Sequence, residues 1–79
     1  MPIIYEKKRD ILAALREEHK HGYRLADELG ISTGYIYVHL DELEEAGLID
    51  VAEQEESGRQ RVYYRLTDDG EQLLEILGE

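Results

Sequence analysis

The eleven residues from Ser57 to Thr67, SGRQRVYYRLT, constrain this chain more than any other stretch. They carry Arg59, Arg61 and Arg65 and no acid, inside a protein whose formal charge is −10. Ser57-Gly58 is a turn signal, and Val62-Tyr63-Tyr64 has the β-branched and aromatic character of a strand. Thr67, followed by Asp68-Asp69-Gly70, stands where it can cap a new helix. A basic hairpin tip in an otherwise acidic chain is suited to touching a phosphate backbone.

Seventy-nine residues make one domain spanning 1–79. A chain of this size buries about 60–65% of the surface its unfolded form exposes, so a deep pocket is not expected. No signal peptide or membrane span is visible, and a cytoplasmic protein with no membrane partner is the expectation. With no cysteine, disulfides and thiolate metal sites are excluded. All six aromatics are tyrosines, rings with a polar tip that suit half-buried or interface positions.

The charge is unevenly placed. Residues 1–40 hold six acids and six bases, whereas residues 41–79 hold thirteen acids and only the three arginines already named. Such acidity argues against nucleic acid in general, since phosphate neutralisation supplies most non-specific affinity. The position of the late arginines in one acid-free segment argues the other way. Thirteen Glu and six Asp against three Lys also resemble the composition of proteins from salt-loving cells, haloarchaea among them. An acidic surface for a protein partner is the alternative.

Hydrophobic spacing predicts a helix over residues 3–19, with Ile4, Ile11 and Leu15 falling together at helical pitch. A short helix from Tyr23 to Leu29 ends at Gly30. Ser32 is an N-cap for a third helix, Thr33 to Ala46, with a stripe of Ile36, Leu40 and Leu43, stopped by Gly47. A strand from Leu48 to Val51, a polar turn from Glu53 to Gly58 and a strand from Gln60 to Leu66 follow. Thr67 opens a last helix with Leu73, Leu74 and Leu77 along one side. The order helix, helix, helix, strand, wing, strand, helix is a mainly α chain with a small β-hairpin (α+β), a winged helix-turn-helix.

In a helix-turn-helix the second helix of the motif offers its N-terminal half to the major groove. Opposite the core stripe lie Gly34, Val38, Asp41, Glu42 and Glu45, with Tyr35 beside them. Only the first two turns suit a duplex, because the three carboxylates repel phosphate. Tyr35 is the better candidate for a base or sugar contact, and Tyr37 is expected half-buried. His19-Lys20-His21 reads as a solvated helix terminus, since histidines two apart do not share a helix face to hold a metal. No nucleophile–base set or phosphate loop is visible, so neither an enzyme nor a cofactor is expected.

From Gly22 onward the chain resembles the PadR family of winged-helix transcriptional regulators. The family pattern GY-x-L, S-x-G-x-[LI]-Y and L-x-x-LE-x-x-GLI appears as Gly22-Tyr23-Arg24-Leu25, Ser32 to Tyr37, and Leu40 to Ile49. Its wing signature, a basic run leading to YYRLT-x-x-G, appears as Arg59 to Gly70. The likeness implies a sequence-specific regulator of double-stranded DNA, a homodimeric repressor, with helix 33–46 in the major groove. The wing, 55–61, would lie at the backbone or minor groove.

Candidate DNA contacts are Lys20, Arg24, Ser32, Thr33, Gly34, Tyr35, Tyr37, Val38, His39, Arg59, Gln60 and Arg61. Candidate dimer residues are Ile4, Tyr5, Leu12, Leu73, Leu74 and Leu77, in the first and last helices. Asp41 and Glu42 stand where the family is often basic or histidine, and Val38 where it often has proline. With one helix after the wing, a short form lacking the C-terminal dimerisation domain is expected. No effector can be named from sequence. A winged-helix module that binds a protein through its acidic surface remains the alternative function.

Overall fold

The computed structural model describes residues 3–55 and 61–78, with side chains over 6–54 and 62–78. Its elements are α1 (Ile3–Glu17), β1 (Lys20–His21), α2 (Gly22–Leu29), α3 (Thr33–Glu45), β2 (Ile49–Glu55), β3 (Arg61–Leu66) and α4 (Asp68–Ile76). The three strands form one antiparallel sheet in the order β1-β3-β2. Four helices with this sheet are the expected α+β winged-helix architecture.

The helix ends follow local chemistry. The Ser32 hydroxyl accepts from the Tyr35 N–H at 3.3 Å, capping α3. At its other end Gly47, with φ of 78°, carries the chain through the left-handed region that other residues resist. There Leu48 N–H bonds Leu43 C=O and Gly47 N–H bonds Glu44 C=O, each at 3.0 Å, so the exposed carbonyls are satisfied. The result is a fixed exit from α3 into β2.

Ile11, Leu12 and Leu15 of α1, Leu25 and Ala26 of α2, Ile36, Leu40 and Leu43 of α3, Ile49, Tyr64 and Leu74 form one buried core. The stripe expected on α3 is thus its inward face, which leaves Tyr35 and Val38 outside. Leu12 and Leu74, expected at a dimer interface, lie in the core of the single chain instead. Each is at the point where α1 or α4 meets its own sheet and neighbours, so neither is available to a second copy.

Two expectations about boundaries also change. The first helix ends at Glu17 rather than residue 19, and Lys20-His21 then forms β1 against Tyr64 and Tyr63. Of the expected solvated terminus, His19 is exposed and His21 half-buried, whereas Lys20 is buried at the edge of the sheet. β2 runs on to Glu55, past the expected start of a polar turn at Glu53, with a bulge between Val51 and Glu53. The extra residue at this bulge is Ala52, beyond which Glu53, Gln54 and Glu55 still pair with β3 despite their polar character.

Thr67 joins α4 to the end of α3. Its hydroxyl donates to Gly47 C=O at 2.7 Å and accepts from Gly70 N–H at 3.1 Å, while its own N–H bonds Leu48 C=O at 3.1 Å. This closeness explains Gly70, where an added Cβ would collide with the Leu48 carbonyl oxygen and sit 2.6 Å from Leu66 Cδ1. Helix propensity alone would make Gly70→Ala stabilising by up to about 1 kcal/mol. The backbone collision reverses that sign, and we expect a net loss of about 1–3 kcal/mol by urea unfolding. A more stable variant would contradict this packing.

Candidate nucleic-acid interface

α2 and α3 meet through the turn Gly30-Ile31-Ser32, where Gly30 (φ of 67°) ends α2 and Ile31 N–H bonds Ala26 C=O at 3.0 Å. Ile31 is buried and anchors the turn. The outer side of α3's first two turns then presents Thr33, Gly34, Tyr35 and Val38, all exposed. Tyr35 is 67% exposed and Val38 50%, large values for apolar side chains on a helix. They border an open hollow of about 510 Å³ whose other walls include Lys7, Ile31 and Glu42.

Tyr37 faces partly inward, as its position at the stripe's edge implied. Its ring meets Tyr23 edge to face at 6.1 Å, and burial, with Tyr23 beside it, holds its hydroxyl pKa above the usual value. Tyr23 itself is exposed, so the two rings form a ridge beside the N-terminus of α2.

The basic candidates are less available than their charge implies. Lys20 is only 5% exposed, and its Nζ meets Glu28 Oε1 at 2.8 Å, so it is removed from the contact set. A buried cation is retained only when paired, and Glu28 supplies the pair. Arg24 is exposed at the start of α2 but binds Glu28 through Nε and Glu18 through Nη2, each at 2.8 Å. Hydrogen bonding from Lys20, and then from Arg24, keeps the Glu28 carboxyl below its ordinary pKa. Arg65 is likewise engaged, by Asp50 across β2 and β3 at 2.6 Å. Arg59 and Gln60 lie outside the described residues, as does the side chain of Arg61.

His39 is the second correction. Expected among the DNA contacts, it is 5% exposed, and its Nδ1 lies 3.2 Å from Lys8 Nζ. An ammonium has only protons to give, so Nδ1 must be the acceptor and the ring neutral with its proton on Nε2. Lys8 also holds Glu42 at 2.8 Å, tying α1 to the outer edge of α3. Polarity made His39 look like a surface residue; its position three residues after Ile36 and one before Leu40 was the overlooked signal.

Desolvation chiefly, with Lys8 and Lys7 nearby and Glu42 opposing, holds the His39 pKa below its ordinary value of 6.5. A histidine with a depressed folded pKa binds fewer protons than in the unfolded chain, so stability falls as pH drops from about 6.5 through the folded pKa. Thermal melts between about pH 7.5 and 5.5 should show this decline. His39→Gln, which keeps an acceptor but does not titrate, should flatten it. An unchanged slope in the variant would assign the effect elsewhere.

His21, read from sequence as a solvated residue, instead caps α2 by accepting from the Arg24 N–H at 3.1 Å. Among the described residues no cluster of His, Asp or Glu is placed to hold a metal, and no helix is long and apolar enough to cross a membrane. Leu73 and Leu77 are half-buried on α4, Ile76 is 78% exposed, and the side chains of Ile4 and Tyr5 lie outside the description.

Comparison with known proteins supplies the family. A PadR family transcription regulator of Clostridium difficile shares the fold with a TM-score of 0.81 at 28% identity, over 91% of this chain and 82% of that one. A protein of Streptococcus mutans has a TM-score of 0.85 at 32% identity, over 99% of this chain and 78% of that one. Bacillus subtilis PadR, solved in complex with operator DNA, has a TM-score of 0.79 at 30% identity, over 89% of this chain but 45% of that one. No curated protein matches significantly. Residues 11–76 match the Transcriptional regulator PadR-like family, and the chain belongs to it.

Proposed function

We propose that this protein is a sequence-specific DNA-binding repressor that acts as a homodimer by occluding its site. In this reading the first two turns of α3 enter the major groove, and residues 55–61 lie against the backbone or minor groove. The observation that carries it is the exposed Tyr35 and Val38 face, set on a helix whose opposite side is locked into the core. The Bacillus subtilis relative with its operator DNA supports the same use of the fold. Thr33, Gly34 and Ser32 accompany that face, and Arg24, Arg59, Gln60 and Arg61 supply positioning contacts.

The dimer would form through α1 and α4, with Ile76, Leu73, Leu77, Ile4 and Tyr5 at the seam. That arrangement places two α3 helices about one DNA turn (~34 Å) apart on a two-fold site. The acidic surface would keep the protein soluble in concentrated salt, as in halophilic cells. Gel shifts with genomic fragments, beside light scattering, test the reading: a dimer that shifts discrete fragments is expected. Asp41, Glu44 and Glu45 are exposed along the second half of α3 and favour one rival, a protein-binding module using that acidic face. No shift at any salt would favour the rival.

A further inference from the structure

The residues of α3 set narrow limits on what it can read. Its sequence, TGYIYVHLDELEE, contains no Arg, Lys, Asn or Gln. Those are the side chains that make bidentate contacts to guanine O6 and N7 or to adenine N6 and N7 in the major groove. Ile36, His39, Leu40 and Leu43 point into the fold, and Tyr37 is half-buried against Tyr23. Asp41 and Glu42 lie beyond the first two turns, and Glu42 is held by Lys8. What remains on the leading face is Thr33, Gly34, Tyr35 and Val38.

Tyr35 and Val38 are neighbours at i and i+3, so their side chains share one patch. Both are at least half exposed and both line the open hollow beside Ile31. Gly34 adds no bulk next to them, and nothing lies within 4 Å of where its Cβ would be. An apolar patch has one partner on the major-groove edge of a base pair, the C5-methyl of thymine.

We propose that Tyr35 and Val38 are specificity residues that read thymine through its methyl group, and that α3 makes no bidentate contact to guanine or adenine. This rests on the reading of α3 as the helix in the major groove. The prediction is a half-site in which one or two thymines are required at the centre of the α3 footprint. Other sequence preference comes from wing contacts and from the shape of the duplex.

The test uses the full chain and a duplex obtained by binding-site selection, with each thymine replaced in turn by deoxyuridine. Uracil keeps every hydrogen-bonding group of thymine and lacks only the methyl. One or two replacements per half-site are expected to weaken binding about four-fold each, the effect of burying one carbon group. Val38→Ala should abolish the penalty at one of those positions without unfolding, because Val38 is half exposed in the free protein. If every deoxyuridine duplex binds like the thymine duplex, the inference fails while DNA binding stands. If no duplex is selected or bound, the reading beneath it fails as well.

Discussion

Replacing Leu40 by alanine is expected to destabilise the protein by about 2–5 kcal/mol, the usual range for emptying a fully enclosed leucine site. Leu40 has no exposed surface and stands between Ile36 and Leu43 on the inner side of α3. A domain of this length has a total stability of roughly 4–12 kcal/mol, so the loss takes a large share and can leave a partly unfolded population. Tyr35→Ala, one helical turn and a residue away, removes a ring that is 67% exposed and should change stability little. Chemical denaturation of the two variants separates the scaffold of α3 from its working face. Equal losses would mean that Tyr35 is packed in solution and unavailable to a duplex.

The second large effect concerns salt. A DNA binder with six to ten phosphate contacts loses about 10³–10⁵ in affinity between 50 and 200 mM salt, because counterions are released. Here Arg24 is held by Glu18 and Glu28, and Lys20 is buried against Glu28. On the proposed reading, counterion release would then fall mainly to Arg59 and Arg61. With α3 in the groove as proposed, Asp41 and Glu45 should repel the duplex at low salt, a repulsion screened as the Debye length drops to about 3 Å at 1 M. Four wing arginines in the proposed dimer correspond on their own to a loss of about 10²-fold over the same interval, and with the carboxylates opposing them we expect a smaller loss, or a gain. Asp41→Asn with Glu45→Gln should raise affinity at low salt and restore a steeper dependence. A conventional steep loss in the unmodified protein would remove this mechanism and the halophilic reading with it.

Most of the fold was legible because its signals are local. Ser32 and Thr67 cap helices, Gly30 and Gly47 end them, and the i, i+4, i+7 spacing of Ile36, Leu40 and Leu43 marks the core side of α3. The outward Tyr35 and Val38 follow from that spacing by subtraction. What was hidden depends on residues distant in sequence. β1 has only two residues, one of them a lysine, and exists because Tyr63 and Tyr64 pair with it. The partner that satisfies the buried His39 ring, Lys8, is thirty-one positions away, and the buried Lys20 is paired with Glu28 on α2. Polarity alone placed both at the surface, since a sequence does not say that Lys20 already has its carboxylate or that the His39 ring already has its donor. Leu12 and Leu74 erred in the same manner: an apolar residue near a chain end is equally suited to a core or a seam.

Whether α3 reads DNA through the face carrying Tyr35 is decided by selecting binding sites from random duplexes with the protein and with Tyr35→Ala. Selection should be run at low and at high salt, because the charge pattern predicts binding that survives both. The expected result is a two-fold symmetric motif with half-sites about one helical turn apart (~34 Å), enriched by the unmodified protein. Tyr35→Ala, folded as shown by circular dichroism, should lose enrichment at particular positions. No enriched motif at either salt, or an identical motif from the variant, would contradict it.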